Sequence, residues 1–210
     1  MAPQTPNPKE IELKLELAPA SLPQLAKTPL IRAFKGTPRR ASEISVYFDT
    51  DKRKLRKKGL LLRVRRRGRR FIQTIKASGN GGGFARDEWE AEIAGNEPDL
   101  ALAEGTALAP LLTRKLRRRL QPLFETRVQR TLYPLTDKAR AIALTVDRGT
   151  IDTGAHTAPL CEIELELERG ELSDLFEVAR ALTRALPAQL PSKASPSAAT
   201  SCSTASRAPP

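Results

Sequence analysis

The sequence predicts an α+β fold: a closed antiparallel β-barrel of about eight strands that surrounds a polar tunnel, with helices packed on the outside. The first observation behind this prediction is a strictly alternating stretch at residues 9–17, whose charged face holds Glu10, Glu12, Lys14 and Glu16. The second is the return of this pattern at residues 161–168, which present Glu162, Glu164, Glu166 and Glu168 on one face. The third is that helical segments interrupt a series of hairpin-joined strands in three places.

Two acidic strands at opposite ends of a domain become neighbours if the sheet closes on itself. Rows of like charge that meet in this way are unfavourable unless cations lie between them. A barrel that turns its charged faces inward brings cations from other strands into the same space, and it leaves the apolar faces outside for helices to cover. We therefore expect an inverted barrel rather than an open sheet.

The first half of the chain supplies most of the basic positions. Residues 18–35 have the apolar spacing of one or two short helices broken at Pro29. Residues 42–50 and 60–68 alternate as strands, and a tight turn at Gly68 leads to a strand at 70–76. Glycine-rich residues 79–83 indicate a loop before a strand at 84–93. The polar positions of these strands include Arg63, Arg65, Lys76, Arg86, Glu88 and Glu90.

The second half of the chain predicts a long helix and then strands. Leucines at helical spacing predict one helix over residues 98–120. Strands are expected at 124–133 and 139–146, with a short hairpin partner at 150–153 between Gly149 and Gly154. An amphipathic helix is predicted at 171–186. One domain is thus expected at residues 9–190, between a disordered lead at 1–8 and a disordered, low-complexity tail at 191–210.

The basic charge of the chain is concentrated in one window. The formal net charge of the 210 residues is +12. Residues 52–70 contain twelve Lys or Arg and no Asp or Glu, and the rest of the chain has 24 basic and 24 acidic residues. A local excess of this kind indicates an anionic ligand or surface rather than a general need for solubility.

Cysteine content and hydropathy indicate a reducing, cytoplasmic location. Cys161 lies on a predicted strand and Cys202 in the tail, so a disulfide framework is not expected. No apolar run is long enough to span a membrane, and the N-terminus lacks the features of a signal peptide. No membrane partner is therefore predicted.

The charged faces together predict a site for a polyanion bound with a divalent metal. Carboxylate oxygens are the hard ligands that Mg²⁺ or Mn²⁺ takes, with waters and phosphate oxygens completing the coordination. Guanidinium groups bind phosphate oxygens in a forked geometry. Metal and basic groups that neutralise developing charge are nearly all that phosphoryl transfer requires.

An N-terminal signature and six further motifs in order resemble the CYTH domain, the family of triphosphate tunnel metalloenzymes, over roughly residues 9–190. They begin with the Glu10-x-Glu12-x-Lys14 signature. The others are Tyr47-Phe-Asp-Thr50, Leu62-Arg-Val-Arg65, Gln73-Thr-Ile-Lys76, Arg86-x-Glu88-x-Glu90, Asp147-x-Gly149 and Cys161-Glu-Ile-Glu-Leu-Glu166. The residues of these motifs are most similar to those of the bacterial inorganic triphosphatase branch, in which a helical CHAD domain often follows the CYTH domain. We expect no CHAD domain here, because the sequence continues into Ala, Ser and Pro repeats.

The resemblance implies metal-dependent hydrolysis of inorganic triphosphate to pyrophosphate and phosphate, with Mg²⁺ or Mn²⁺ as cofactor. The implied metal ligands are Glu10, Glu12, Asp147, Glu162 and Glu164. The implied triphosphate contacts are Lys14, Arg63, Arg65, Lys76, Arg86, Arg130 and Lys193. Glu10, Glu12 and Lys76 are the implied catalytic residues. Glu88 and Glu90 are implied to line the tunnel. Arg130 and Lys193 rest on the resemblance alone.

Other functions stay open on the sequence. Within the same fold, a nucleoside triphosphatase, a thiamine triphosphatase or an adenylate cyclase is an alternative. A non-catalytic module that binds polyphosphate or RNA is a second class, and the basic window could equally be a solvated face. Aromatic residues make up only 4% of the chain, which disfavours stacking on single-stranded RNA. Paired glutamates are also unexpected in a site that only binds polyanions. The sequence does not predict an oligomeric state.

Overall fold

The computed structural model describes residues 10–34, 36–78 and 85–190, which form one mostly antiparallel sheet with few helices. Nine strands are present in this part of the chain. They are β1 (Glu10–Leu17), β2 (Arg39–Asp49), β3 (Leu60–Arg67), β4 (Arg70–Ser78), β5 (Ala85–Ile93), β6 (Gln121–Thr136), β7 (Ala141–Asp152), β8 (Thr157–Arg169) and β9 (Ala188–Gln189). Their order in the sheet is β5-β4-β3-β2-β6-β7-β8-β1-β9.

The two sides of this sheet approach each other at β1 and β5. These strands pair at two positions, with Glu10 opposite Arg86 and Ile11 opposite Ala85. By contrast, β6 and β7 pair over twelve positions, from Glu125 opposite Asp152 to Thr136 opposite Ala141. The antiparallel sheet of the predicted fold class is confirmed, whereas closure into a barrel stays a prediction.

Short helices lie between the strands. They are α1 (Leu22–Leu25), α2 (Pro29–Ala33), α3 (Lys54–Lys57), α4 (Arg114–Arg117) and α5 (Leu172–Ala185), with 3₁₀ turns at Pro19–Ser21, Leu100–Ala103 and Ala109–Leu111. In the described ranges, no helix has the length and apolar character that a membrane crossing requires.

Helix α5 covers the outer apolar face of β1, β7 and β8, as its amphipathic pattern predicts. Leu175 and Leu182 are fully buried against Leu144, Ile163 and Leu165. The helix begins at a capping box, in which Asp174 accepts a hydrogen bond from the backbone N–H of Glu171 at 2.9 Å. Burying this apolar stripe fixes which face of the three strands points inward.

A second apolar cluster covers the outer face of β2, β3 and β4. Leu62, Val64 and Ile75 pack there against Leu108 and Leu116 from the segment before β6. The outer face of the sheet is therefore apolar and buried both at β1, β7 and β8 and at β2, β3 and β4.

The prediction of one helix over residues 98–120 is wrong. The segment contains two 3₁₀ turns followed by α4. Gly105 takes a left-handed backbone with φ +79°, which ends the first turn. Thr113 then caps α4 by accepting a hydrogen bond from the Leu116 N–H at 3.1 Å. Leucine spacing identified the buried positions but not these interruptions.

The predicted separate strand at residues 150–153 is also wrong, because β7 continues without a break to Asp152. Gly149 is a strand residue that faces Val128 on β6 and Leu160 on β8. A Cβ at this position would lie 1.8 Å from the Arg127 carbonyl oxygen, so glycine is needed for the close approach of β6. The turn to β8 occurs instead at Gly154, with φ +81°.

The predicted lead at residues 1–8 and tail at 191–210 lie outside the described residues.

Candidate active site

The inner face of the sheet has a charged part, which we call the polar half. Its residues alternate with the buried outer residues on each strand. They are Glu12 and Lys14 on β1, Glu43 on β2, Arg63 and Arg65 on β3, Lys76 on β4, Glu88 and Glu90 on β5, Arg130 on β6, Asp147 on β7, and Glu162 and Glu164 on β8. Strands from both ends of the sequence thus bring their charges to one place.

An acidic cluster of Asp147, Glu162 and Glu164 lies at the centre of the polar half. Asp147 faces Glu162 directly across the β7–β8 pair. One carboxylate oxygen from each of the three residues lies within 4.8 Å of the others. Asp147 and Glu162 are buried, and Glu164 is partly buried.

Two cations contact this acidic cluster. Lys14 Nζ lies 3.0 Å from Glu162 Oε1 and 2.7 Å from Glu164 Oε1. Arg130 donates from Nε to Asp147 Oδ1 at 2.8 Å, and its Nη2 donates to Glu164 Oε2 at 3.0 Å and also to the second Asp147 oxygen. Three carboxylates therefore meet two cations, and one negative charge is left in excess.

The pKa values of the acidic cluster follow from this imbalance. Burial alone would raise the pKa of Glu164, but Lys14 and Arg130 outweigh burial and hold it well below its usual range. Burial raises the pKa of Glu162 to about 7 despite the nearby Lys14, because that lysine is shared with Glu164. Burial also raises the pKa of Asp147 against the opposing effect of Arg130.

Both cations remain charged at neutral pH. Burial by itself would lower the pKa of Lys14, but the carboxylates of Glu164 and Glu162 raise it well above its ordinary value. The same holds for Arg130, where Glu164 and Asp147 outweigh burial. Lys14, Arg130 and Glu164 are thus charged at neutral pH in a poorly solvated place, where electrostatic interactions are strong.

The cations of β3 and β4 form the opposite wall of the polar half. Arg65 lies 3.0 Å from Glu90 Oε1, and Arg63 lies 3.8 Å from the same oxygen. Lys76 contacts Glu88 at 3.2 Å and Glu12 at 3.8 Å. The contact to Glu12 joins β4 to β1, which are far apart in the order of the sheet.

The basic wall keeps donors that no described residue uses. Burial and the neighbouring Arg63 both lower the pKa of Arg65. The Nε atoms of Arg63 and Arg65 are buried, and no acceptor among the described residues reaches them. A buried donor without a partner is costly, so this wall is suited to an anion that supplies oxygen acceptors.

Glu43 is a member of the site that the sequence reasoning missed. It is 2% exposed and contacts Arg65 and Arg130 at 3.7 Å each, together with Arg67. The signal was present, because Glu43 alternates with Ile44 and Val46 on β2 and so shares the inner face with Tyr47. Burial would raise the pKa of Glu43, but Arg130 and Arg65 outweigh burial and lower it.

Another part of the inner face is mostly apolar, and we call its apolar residues the apolar half. It consists of Tyr47, Leu61, Phe124, Val128, Ile151 and Leu160. Tyr47 and Phe124 stack with ring centroids 4.3 Å apart. The change between halves is abrupt, since Leu61, Val128 and Leu160 each lie two residues from a charged member of the polar half.

The acidic cluster fits a hard divalent cation. Its donors are all carboxylate oxygens, as Mg²⁺ and Mn²⁺ prefer. Glu162 Oε2 is buried, and the described residues provide it with no hydrogen-bond partner. The excess negative charge and this unpartnered oxygen are both accounted for if a cation is held by Asp147, Glu162 and Glu164.

Most of the residues predicted for the site meet in the polar half. The structure brings together Glu12, Lys14, Arg63, Arg65, Lys76, Glu88, Glu90, Arg130, Asp147, Glu162 and Glu164. Of the five predicted metal ligands, Glu12 lies beside Lys76 rather than in the acidic cluster. Glu10 and Arg86 face each other across β1 and β5, and their side chains lie outside the described part. Lys193 lies outside the described residues altogether.

Comparison with known proteins gives one family. Residues 8–196 match the family model of the CYTH domain. An inorganic triphosphatase of Haemophilus influenzae is 30% identical over 184 residues, which are 83% of this chain and 49% of that protein. The chain thus spans about half the length of this curated relative.

Solved structures share the fold at low sequence identity. A Hippeastrum protein, described as a putative adenylyl cyclase with a dominant triphosphatase activity, has a TM-score of 0.63 at 20% identity. The match covers 90% of this chain and 93% of that one. A putative adenylate cyclase of Bacillus halodurans has a TM-score of 0.60 at 16% identity, over 90% and 96% of the two chains.

Proposed function

The chain belongs to the CYTH domain family, and from this premise we propose that it hydrolyses inorganic triphosphate to pyrophosphate and phosphate with the help of Mg²⁺ or Mn²⁺. The reaction takes place in the polar half, which we propose to be the interior of a tunnel closed by β1 and β5. The domain that carries it is residues 9–190. The Haemophilus influenzae relative, itself an inorganic triphosphatase, supports this substrate.

The observation that carries the proposal is that the two walls of the polar half lack opposite partners: the acidic cluster lacks a cation, and the basic wall lacks hydrogen-bond acceptors. The acidic cluster has an excess negative charge and an unpartnered oxygen on Glu162. The basic wall has unpartnered donors on Arg63 and Arg65. A triphosphate bound together with a divalent cation satisfies both walls at once, whereas an anion alone would satisfy only the second.

The cations of the site would hold the substrate. Arg63, Arg65 and Lys76 come from adjacent strands and would bind phosphate oxygens, with Arg130 and Lys14 between them and the acidic cluster. Their positive charge would stabilise the charge that develops on the phosphoryl oxygens in the transition state. Arg86 and Lys193 are proposed as further contacts on the family resemblance.

The carboxylates would hold the metal and orient the attacking water. Asp147, Glu162 and Glu164 are the proposed ligands, with Glu10 and Glu12 as further ligands at the β1 end. A divalent cation, when bound, neutralises phosphate charge and lowers the pKa of a coordinated water. Glu10, Glu12 and Lys76 are retained as proposed catalytic residues, and Lys76 already bridges Glu12 and Glu88. Because Glu88 and Glu90 contact Lys76 and Arg65, we propose that they orient the basic wall.

The proposal is tested by phosphate release from inorganic triphosphate in the presence of Mg²⁺, Mn²⁺ or EDTA, with ATP and pyrophosphate as comparison substrates. We expect metal-dependent cleavage that favours triphosphate. Glu164→Gln should lower kcat by about 100-fold or more, since it removes a proposed ligand and a partner of both Lys14 and Arg130. Glu168→Gln is the matched control, because Glu168 lies on the same strand and is exposed.

Two results would contradict the proposal. Cleavage that persists unchanged in EDTA would remove the metal role. Equal rates for Glu164→Gln and Glu168→Gln would mean that the acidic cluster does not take part in the reaction.

A further inference from the structure

A cavity of about 500 Å³ lies at the end of the sheet where β2 ends and β3, β6 and β8 begin. Its lining differs chemically from that of the polar half, because its walls are mainly aliphatic and aromatic. Phe48, Leu60, Leu62, Leu123, Phe124 and Ala158 contribute to them. Cavities of this size and composition bind small organic molecules in many proteins.

The apolar half separates this cavity from the charged site. Ile151 faces the cavity, whereas Val128 and Leu160 face the charged side. Tyr47 and Leu61 line both spaces. A molecule in the cavity would therefore touch the ring of Tyr47, which lies directly opposite Arg63 across the β2–β3 pair.

The rim of the cavity is held in place and is basic. Arg53 lines it with a left-handed backbone at φ +51°, a conformation that costs energy for a residue with a side chain. Asp49 fixes this loop by accepting backbone hydrogen bonds from Thr50 at 2.6 Å, Leu55 at 2.9 Å and Arg56 at 3.0 Å. The side chains of Arg53 and Arg56 are thus presented at the cavity by a preorganised turn.

The charge around the rim favours an anion. Both carboxylates in the lining have backbone partners, since Asp49 holds the loop and Asp51 accepts a hydrogen bond from the Lys52 N–H at 2.9 Å. Beyond Arg53 and Arg56, residues 52–58 add four basic side chains and no acidic one. An apolar body with a negative group is the ligand that complements both features.

We propose that this cavity is a second binding site, distinct from the proposed catalytic interior, for an organic anion with a flat apolar body. The apolar body lies against Tyr47, Phe124 and Leu62, and its negative group contacts Arg53 and Arg56. Through Tyr47, which lines both cavities and faces Arg63 across the β2–β3 pair, the ligand would lie next to the polar half.

The test uses the aryl sulfonate 8-anilinonaphthalene-1-sulfonate, whose fluorescence rises in apolar surroundings, titrated into the full chain. We expect saturable binding that persists when inorganic triphosphate is present in excess. Ala158→Trp should abolish it by filling the cavity, and Thr157→Trp is the control because Thr157 is exposed on the neighbouring position of β8. The double variant Arg53→Glu/Arg56→Glu should weaken binding by about tenfold or more, whereas Arg118→Glu/Arg119→Glu, with the same charge change on an exposed segment, should not.

Circular dichroism of each variant establishes that it is folded before binding is measured. Displacement of the probe by triphosphate would place it in the polar half and overturn the proposal. Equal binding by Ala158→Trp and Thr157→Trp would do the same, because the probe would then lie elsewhere. If Ala158→Trp is not folded, the two arginine double variants decide the question by their difference in affinity.

Discussion

The two halves of the inner face are built by the same strands but are held together by different forces. In the polar half, Arg130 and Lys14 are neutralised by a buried acidic cluster. In the apolar half, Val128, Ile151 and Leu160 exclude water by packing alone. Burying charges costs free energy that their pairing barely returns, whereas burying aliphatic groups is directly favourable. The apolar half therefore contributes stability, whereas the charges of the polar half are accounted for by the ligands proposed for it.

We expect the largest effect when a central cation of the polar half is removed. Arg130→Met should destabilise the fold by about 3 kcal/mol or more, because it leaves the buried charges of Glu43, Asp147 and Glu164 without their shared partner. Triphosphatase activity should fall together with stability. Urea unfolding followed by circular dichroism measures the first effect, and phosphate release measures the second.

Arg127→Met is the control for this prediction. Arg127 lies on the same strand and contacts Glu125 at 2.6 Å, but its side chain is 63% exposed. An exposed pair of this kind contributes at most about 1 kcal/mol. Equal losses of stability in the two variants would show that burial does not distinguish the polar half from the surface.

A substitution that creates a cavity in the apolar half should lower stability without lowering activity. Ile151→Ala should lower the free energy of unfolding by about 2–4 kcal/mol, since Ile151 is 4% exposed within its cluster. Activity per folded molecule should stay near that of the unaltered chain, because Ile151 does not line the charged cavities of the polar half. Leu172→Ala is the control, since Leu172 is 41% exposed. A large loss of activity at full folding would mean that the apolar half also positions the substrate.

How far the sequence predicted this arrangement depends on whether a feature is local. Alternation placed Glu162, Glu164 and Lys14 on inward faces, because a side chain's direction on a strand is fixed by its neighbours. The contact of Lys76 with Glu12 depends on the curvature of the whole sheet, and no local pattern contains it. The 3₁₀ turns in residues 98–120 were missed because buried leucines have similar spacing in both types of helix.

The division of the inner face into halves was missed for a different reason. The alternation of charged residues does not by itself identify Val128 and Leu160 as inner residues, although they alternate in step with Arg130 and Glu162. Glu43 is missed for the same reason, because Ile44, Val46 and Phe48 alone are enough to predict its strand. Following both faces of every strand would have found all three.

The smallest change in stability is expected for a substitution of Glu43. This change should depend on pH, which distinguishes a contribution of charge from one of packing. The pKa of Glu43 is lowered in the fold from an ordinary value of 4.5, since Arg130 and Arg65 outweigh the opposing effect of burial. Its ionised form therefore stabilises the fold at pH above 4.5, and this contribution is lost as pH falls from there through the lowered folded value.

Glu43→Gln, which cannot ionise, should be less stable than the unaltered chain by about 1–2 kcal/mol at pH 7. Urea unfolding across pH 3–7 should show this difference shrinking below pH 4.5, whereas the exposed Glu97→Gln should match the unaltered chain throughout. A difference that stayed constant down to the lowest pH would mean that Glu43 acts by its packing and hydrogen bonds, and the polar half would then resemble the apolar half more closely than its charges suggest.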